Sequence, residues 1–180
     1  MENEVLAQMI KEADAQFARG AVDEALREYQ AILEQDSSVA WAHSRVGAIL
    51  AQKGNLEEAE QSLLKALEFD SELPQAHSNL GNIHYTRGNF DQAVERYQIA
   101  TKLDPANPLY HQNLHAAYKR QKKYAEAVKS LKQSHKLTRE TSVKNTKAEF
   151  QSVKRRFGCT SVIAILLLLT GAMFVIAYAI

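Results

Sequence analysis

Apolar and small residues return along this chain every 34 positions. Gly20, Gly54 and Gly88 keep that spacing, as do Ala25, Ala59, Ala93 and Ala127. So do the bulky residues Tyr29, Leu63, Tyr97 and Leu131, the set Val22, Leu56, Phe90 and Tyr124, and the acids Asp36, Asp70 and Asp104. Within each period the apolar positions recur three and four apart, which places them on one face of a helix. Each period therefore predicts two helices around a glycine turn. The first carries a small residue (Ala13, Gly47, Gly81) where its neighbour crosses closely. The second aligns Ala, a bulky residue and a further core residue. Asp104-Pro105 ends a unit, because the residue before proline avoids the helical region. Pro74 and Pro108 suit the first turn of a helix, where a missing donor costs nothing.

This reading gives four hairpin units at about 6–39, 40–73, 74–107 and 108–141, one all-α domain over 1–141. The end units are imperfect. The first has Glu12-Ala13 where the second and third have a large residue and glycine. The fourth has His115 at the small position and Lys122 where the turn glycine stands elsewhere. Irregular terminal repeats are expected where a stack is capped.

After residue 141 the pattern changes. Residues 142–156 are a basic juxtamembrane helix or linker. Residues 157–180 hold 24 uncharged, mostly apolar side chains. About 20 residues of helix cross a ~30 Å hydrocarbon core, and only a helix would satisfy this segment's backbone in lipid. The expectation is one transmembrane helix. Lys154, Arg155 and Arg156 precede it, and basic residues mark the cytoplasmic side. The expected layout is that of a tail-anchored protein with residues 1–156 in the cytoplasm. A bacterial plasma membrane is slightly preferred over a eukaryotic organelle membrane. The N-terminal sequence lacks the basic and apolar regions of a secretory signal.

Charge refines the layout. Residues 1–70 hold 6 Lys/Arg against 14 Asp/Glu, residues 71–118 hold 3 against 4, and residues 119–156 hold 13 against 3. The chain runs from acidic to neutral to basic, and the overall charge of +1 hides this. The basic stretch from Lys119 to Lys136 alternates with core positions, as on a solvated helix face, and nucleic acid is not the expected partner. Lipid headgroups are the nearer polyanion for Lys144, Lys147, Lys154, Arg155 and Arg156. One cysteine, Cys159, excludes an intramolecular disulfide and a CxxC site; it reads as a small residue of the first membrane turn.

The repeat resembles the tetratricopeptide repeat (TPR) family. The third unit carries the resemblance best: His77, Leu80, Gly81, Tyr85, Gly88, Phe90, Ala93, Tyr97, Ala100 and Pro105 fall at that family's signature positions. The resemblance covers about three quarters of the chain. It implies a right-handed superhelical solenoid whose first helices line a groove for an extended peptide or a partner helix. The inner positions are then Lys11, Arg45, Asn79 and Asn113, with Asn82 one turn from Asn79 and Trp41, Gln75, Leu109, Asp14, Ser44, Ser78 and Gln112 beside them. Asparagine amides can hold a peptide backbone because they both donate and accept. Arg45 and Lys11 would favour an acidic segment of the partner. Tyr85 and Trp41 would supply aromatic anchors. The Lys/Asn/Arg clamp by which some TPR proteins hold chaperone C-termini is not met, because Gln75 or Leu109 and Asn79 or Asn113 stand where basic residues are needed.

His43, His77 and His111 also recur at 34. Successive units stand about two ~10 Å helix diameters apart, too far for one metal with ligands at ~2 Å, so these histidines are read as packing residues. No phosphate loop, HExxH, GxSxG or CxxC motif is present. Asp23-Glu24 and Glu57-Glu58 begin second helices, where negative charge suits the helix dipole. The expectation is no enzyme, no cofactor and no metal. The expected function is a membrane-anchored adaptor or assembly factor. A self-associating scaffold and a membrane-tethered chaperone for membrane-complex subunits are the alternatives.

Overall fold

A computed structural model describes the backbone of residues 2–177 and the side chains of residues 4–153 and 155. Eight helices and no strand are present among the described residues. They are α1 (Glu2–Ala18), α2 (Val22–Gln35), α3 (Ala40–Gln52), α4 (Leu56–Phe69), α5 (Pro74–Thr86), α6 (Phe90–Leu103), α7 (Pro108–Arg120) and α8 (Tyr124–Ala177). Two compact units divide them, Met1–His135 and Lys136–Ile180, with the boundary inside α8. The second unit is the continuation of α8, with Val143 and Phe150 exposed on it. Among the described residues, no helix is long and apolar enough to cross a membrane. The side chains of the span read at 157–180, and those of Lys154 and Arg156, lie outside the described residues, as does the backbone of 178–180.

Each hairpin turn is closed the same way. The amide of Gly54 bonds the carbonyl of Ala51 and that of Asn55 bonds Leu50, the paired bonds that end a helix in a left-handed residue. Gly88 and Asn89 repeat the arrangement on Tyr85 and His84. The glycines take φ of +87° and +81° there, a region that a Cβ disfavours. In the fourth hairpin Lys122 adopts the same geometry at φ +62°. The same paired bonds close it, from Lys122 to Lys119 and from Lys123 to Tyr118.

The helices of a hairpin cross closely at the small position. A Cβ on Gly81 would stand 2.5 Å from the Tyr97 ring, and one on Gly47 would stand 2.6 Å from Leu63 Cγ. His115 fills this position in the fourth hairpin, and its Nδ1 lies 2.9 Å from the carbonyl of Ala127. The bulky residue opposite covaries with its partner fifteen positions earlier. Tyr29 donates to Asp14 at 2.6 Å and Tyr97 to Asn82 at 2.8 Å. Where the bulky residue is Leu63 or Leu131, the partner is Ala48 or Ala116. A buried hydroxyl needs an acceptor, and the sequence supplies one only where there is a hydroxyl.

Between hairpins, each second helix packs on the next first helix, α2 on α3, α4 on α5 and α6 on α7. The linking loop opens with an aspartate. Asp36 accepts from the amide and hydroxyl of Ser38, which holds its carboxyl below the usual range. Asp70 and Asp104 accept from the amides of Glu72 and Ala106. The recurring histidines then fasten these loops. Nε2 of His43, His77 and His111 lies 2.9, 3.0 and 3.1 Å from the carbonyls of Ser37, Ser71 and Pro105.

Candidate functional site: the face of the first helices

Within the first unit, α3 touches α5 and α5 touches α7, so these three first helices form a continuous layer, which Arg45 of α3 links to Asp14 and Phe17 of α1. A cavity of about 340 Å³ runs along it. Its wall takes Phe17 from α1, Trp41 and Arg45 from α3, Gln75 and Asn79 from α5, and Leu109 from α7. A second cavity of about 270 Å³ shares Ala48, Asn79 and Asn82 with it. Asn79 and Asn82 therefore stand on the ridge between two depressions.

The side chains along this face differ in how far they are already engaged. Arg45 places its guanidinium 4.2 Å from the Trp41 ring centre and 5.3 Å from that of Phe17. Its Nε lies 3.3 Å from Asp14 Oδ1, within ion-pair reach but without hydrogen-bond alignment. The positive charge is met locally, and a flat cation between two rings is a stable packing arrangement. Asn82 accepts from Tyr97, and Asn113 donates to Asn82 at 3.3 Å and to Ser78 at 3.2 Å. These two asparagines are tied into one network that also explains the Tyr97 hydroxyl, whose ionisation burial pushes far up. Tyr29 is likewise pushed up by burial, and next by its bond to Asp14.

Asn79 lines both cavities. The Oε1 of Gln75 is buried in the wall without a hydrogen-bond partner, an acceptor available to an incoming amide. Leu109 is more than half exposed beside it. Tyr85 packs edge-on against Phe90, 5.5 Å between ring centres, and lines neither cavity. Lys11 is exposed on α1 and also stands outside both walls. The periodic reading missed Phe17, Asn107 and Tyr110, which complete the larger wall. Phe17 lies at the Tyr85 position of the first unit, and Asn107 and Tyr110 flank Pro108. Their place in the wall depends on how successive hairpins rotate against each other.

Helix hairpins at a 34-residue period, fastened unit to unit around a first-helix face, define a repeat solenoid of the protein-binding kind. Residues 47–88 and 81–122 match the TPR repeat family. No curated protein sequence matches the chain. Among solved structures, pilF of Pseudomonas aeruginosa superimposes with a TM-score of 0.69 at 25% identity, covering 76% of this chain and 63% of that one. A crystal structure of MamA superimposes with a TM-score of 0.64 at 20% identity, covering 76% of this chain and 80% of that one. MamA of Desulfovibrio magneticus RS-1 (residues 41 to the end) gives 0.62 at 21% identity, covering 75% and 76%. At these identities the MamA structures speak for the fold.

Proposed function

We propose that this chain is a protein-interaction adaptor whose first-helix face binds an extended segment of a partner protein. The observation that carries this reading is the cavity that takes wall residues from α1, α3, α5 and α7 together. Arg45 is the one charged residue in that wall among the described residues, and Asp14 meets its charge. The wall otherwise offers rings, an exposed leucine and side-chain amides. Such a surface suits a segment that is itself uncharged, presenting apolar side chains to Trp41 and Leu109 and backbone amides to Gln75 and Asn79. An acidic segment, favoured by sequence alone, gains little from an arginine that is already paired.

The test is site-specific photo-crosslinking in the full chain within its own membranes. A crosslinking residue at Asn79 or at Leu109 is expected to capture the same partner segment. One at Lys65, exposed on α4, is expected to capture none. Equal capture at Lys65, or none at Asn79, overturns the assignment.

We further propose, from the sequence, that residues 157–180 anchor the adaptor in a membrane with residues 1–156 on the cytoplasmic side. The length of the uncharged stretch and the Lys154, Arg155 and Arg156 cluster support this. The full chain is then expected to stay with membranes through alkaline carbonate washing. A chain ending at Arg156 is expected to be released. Release of the full chain overturns the anchor.

A further inference from the structure

The two ends of the stack of hairpins are not alike. The same positions recur along the second helices at this period: Val22, Leu26, Tyr29 and Leu33 in α2, then Phe90, Val94, Tyr97 and Thr101 in α6. Val94 is 7% exposed and clusters with Leu114 and Ala117 of α7. In α8 the same positions are Tyr124, Val128, Leu131 and His135. There Tyr124 is 62% exposed and Val128 is 49% exposed. The fourth hairpin thus keeps an apolar docking face with nothing in the first unit laid on it.

The first hairpin does the opposite. Positions that hold Ala76 and Leu80 in α5, both buried, hold Gln8 and Glu12 in α1. A polar outer face of this kind closes a solenoid end to further stacking.

The charges at the open end are also reversed. At each internal boundary the incoming first helix ends on a donor, and the preceding second helix begins with a carboxylate. Lys53 pairs with Asp23, Arg87 with Glu57 and Glu60, and Gln121 donates to Asp91. The next residue in the carboxylate series is Ala125. Residues 119–135 around it hold 6 Lys/Arg against the single acid Glu126. A second copy of this chain does not fit there. Its α1 would bring Glu12 onto Val128 and Leu131, and Arg19, which stands in the donor series, toward Lys122 and Lys123.

We propose that the face of Tyr124, Val128 and Leu131, bordered by Lys122, Lys123 and Lys132, receives an acidic amphipathic helix of a partner protein. That helix lies where the first helix of a fifth unit would lie. Its apolar stripe covers Val128 and Leu131, as α7 covers Val94 and Tyr97. Its carboxylates meet the lysines, inverting the pairing found at the internal boundaries. This surface is separate from the first-helix cavity, so a partner could occupy both.

The probe is a synthetic helical peptide that copies Ala76, Leu80, Gly81 and Ile83 of α5 at their spacing and carries Glu at its remaining positions. It is titrated against the full chain in detergent micelles. The Glu peptide is expected to bind, and its Lys counterpart at least about tenfold more weakly, because like charges oppose docking. Val128→Asp is expected to weaken the Glu peptide by about tenfold or more, because a charge enters the apolar centre of the interface. Val128 is exposed, so helicity is expected to be unchanged. Lys123→Glu with Lys132→Glu is expected to invert the preference between the two peptides. Asn79→Ala is expected to leave both affinities unchanged.

Equal binding of the two peptides overturns the proposal, as does indifference to Val128→Asp or loss of binding in Asn79→Ala. An oligomer of the wild-type chain that Val128→Asp dissolves would give the face to a second copy, and overturns it as well.

Discussion

The third and fourth hairpins share a period but not a chemistry. The third uses glycine at the crossing and glycine in the turn, and its second helix begins with an acid that the next unit engages. The fourth puts His115 at the crossing, Lys122 in the turn and Ala125 in place of the acid. Both form the same hairpin. The repeat geometry therefore needs a small residue only where the facing side chain is held tightly against it, as Tyr97 is on Gly81 and Leu63 on Gly47. It needs glycine only to the extent that a left-handed residue is costly.

The largest expected effect comes from moving the fourth hairpin's solution into the third. A Cβ on Gly81 already meets the Tyr97 ring at 2.5 Å, so Gly81→His is expected to cost about 3 kcal/mol through overpacking. Chemical denaturation of the full chain measures it. A cost near zero would mean that the crossing can widen and that the glycine is incidental.

The loop latches come next. His77 is 6% exposed and holds the Ser71 carbonyl. His77→Ala is expected to cost about 1–3 kcal/mol, because it leaves a buried acceptor unmade. His111 makes the same bond at a more exposed site, so His111→Ala is expected to cost less. Equal losses would remove burial as the explanation.

The turns give a smaller effect of opposite sign. Lys122→Gly is expected to stabilise the chain by at most about 1 kcal/mol, because glycine takes φ +62° without a Cβ penalty but orders at a higher entropic cost. Gly88→Lys is expected to destabilise by a similar amount.

The smallest effect is a pH dependence confined to the third hairpin. Burial holds His84 below its ordinary value of 6.5, and its Nδ1 is buried without a hydrogen-bond partner. As pH falls through 6.5 the unfolded chain takes up this proton before the folded chain does, so stability falls on acidification. His84→Gln is expected to flatten the stability profile below that pH. An unchanged slope would assign the acid sensitivity to other groups.

The period of 34 by itself determined the first seven helices and the start of α8, the turns, the aspartate loops and the packing role of the recurring histidines, but not that α8 runs on to Ala177, past the unit end read at 141. These follow from local rules, namely helical spacing, left-handed turn residues and the need of a buried hydroxyl for an acceptor. The periodic projection also placed Arg45, Asn79 and Trp41 on the first-helix face, since that face is a property of each helix alone. It did not show that Asp14 meets the charge of Arg45, or that Asn113 reaches Asn82 and Ser78. Those contacts run between units, 31 positions apart in each case but the last, which spans 35. It also gave no way to see that Phe17 joins Trp41 around the same guanidinium, or that Tyr85 turns to Phe90 instead of the cavity. The Tyr85–Phe90 contact is made inside the third hairpin, whereas the rotation of one hairpin against the next decides the contacts between units, and that rotation is set by side-chain packing across the boundary, which no single period contains.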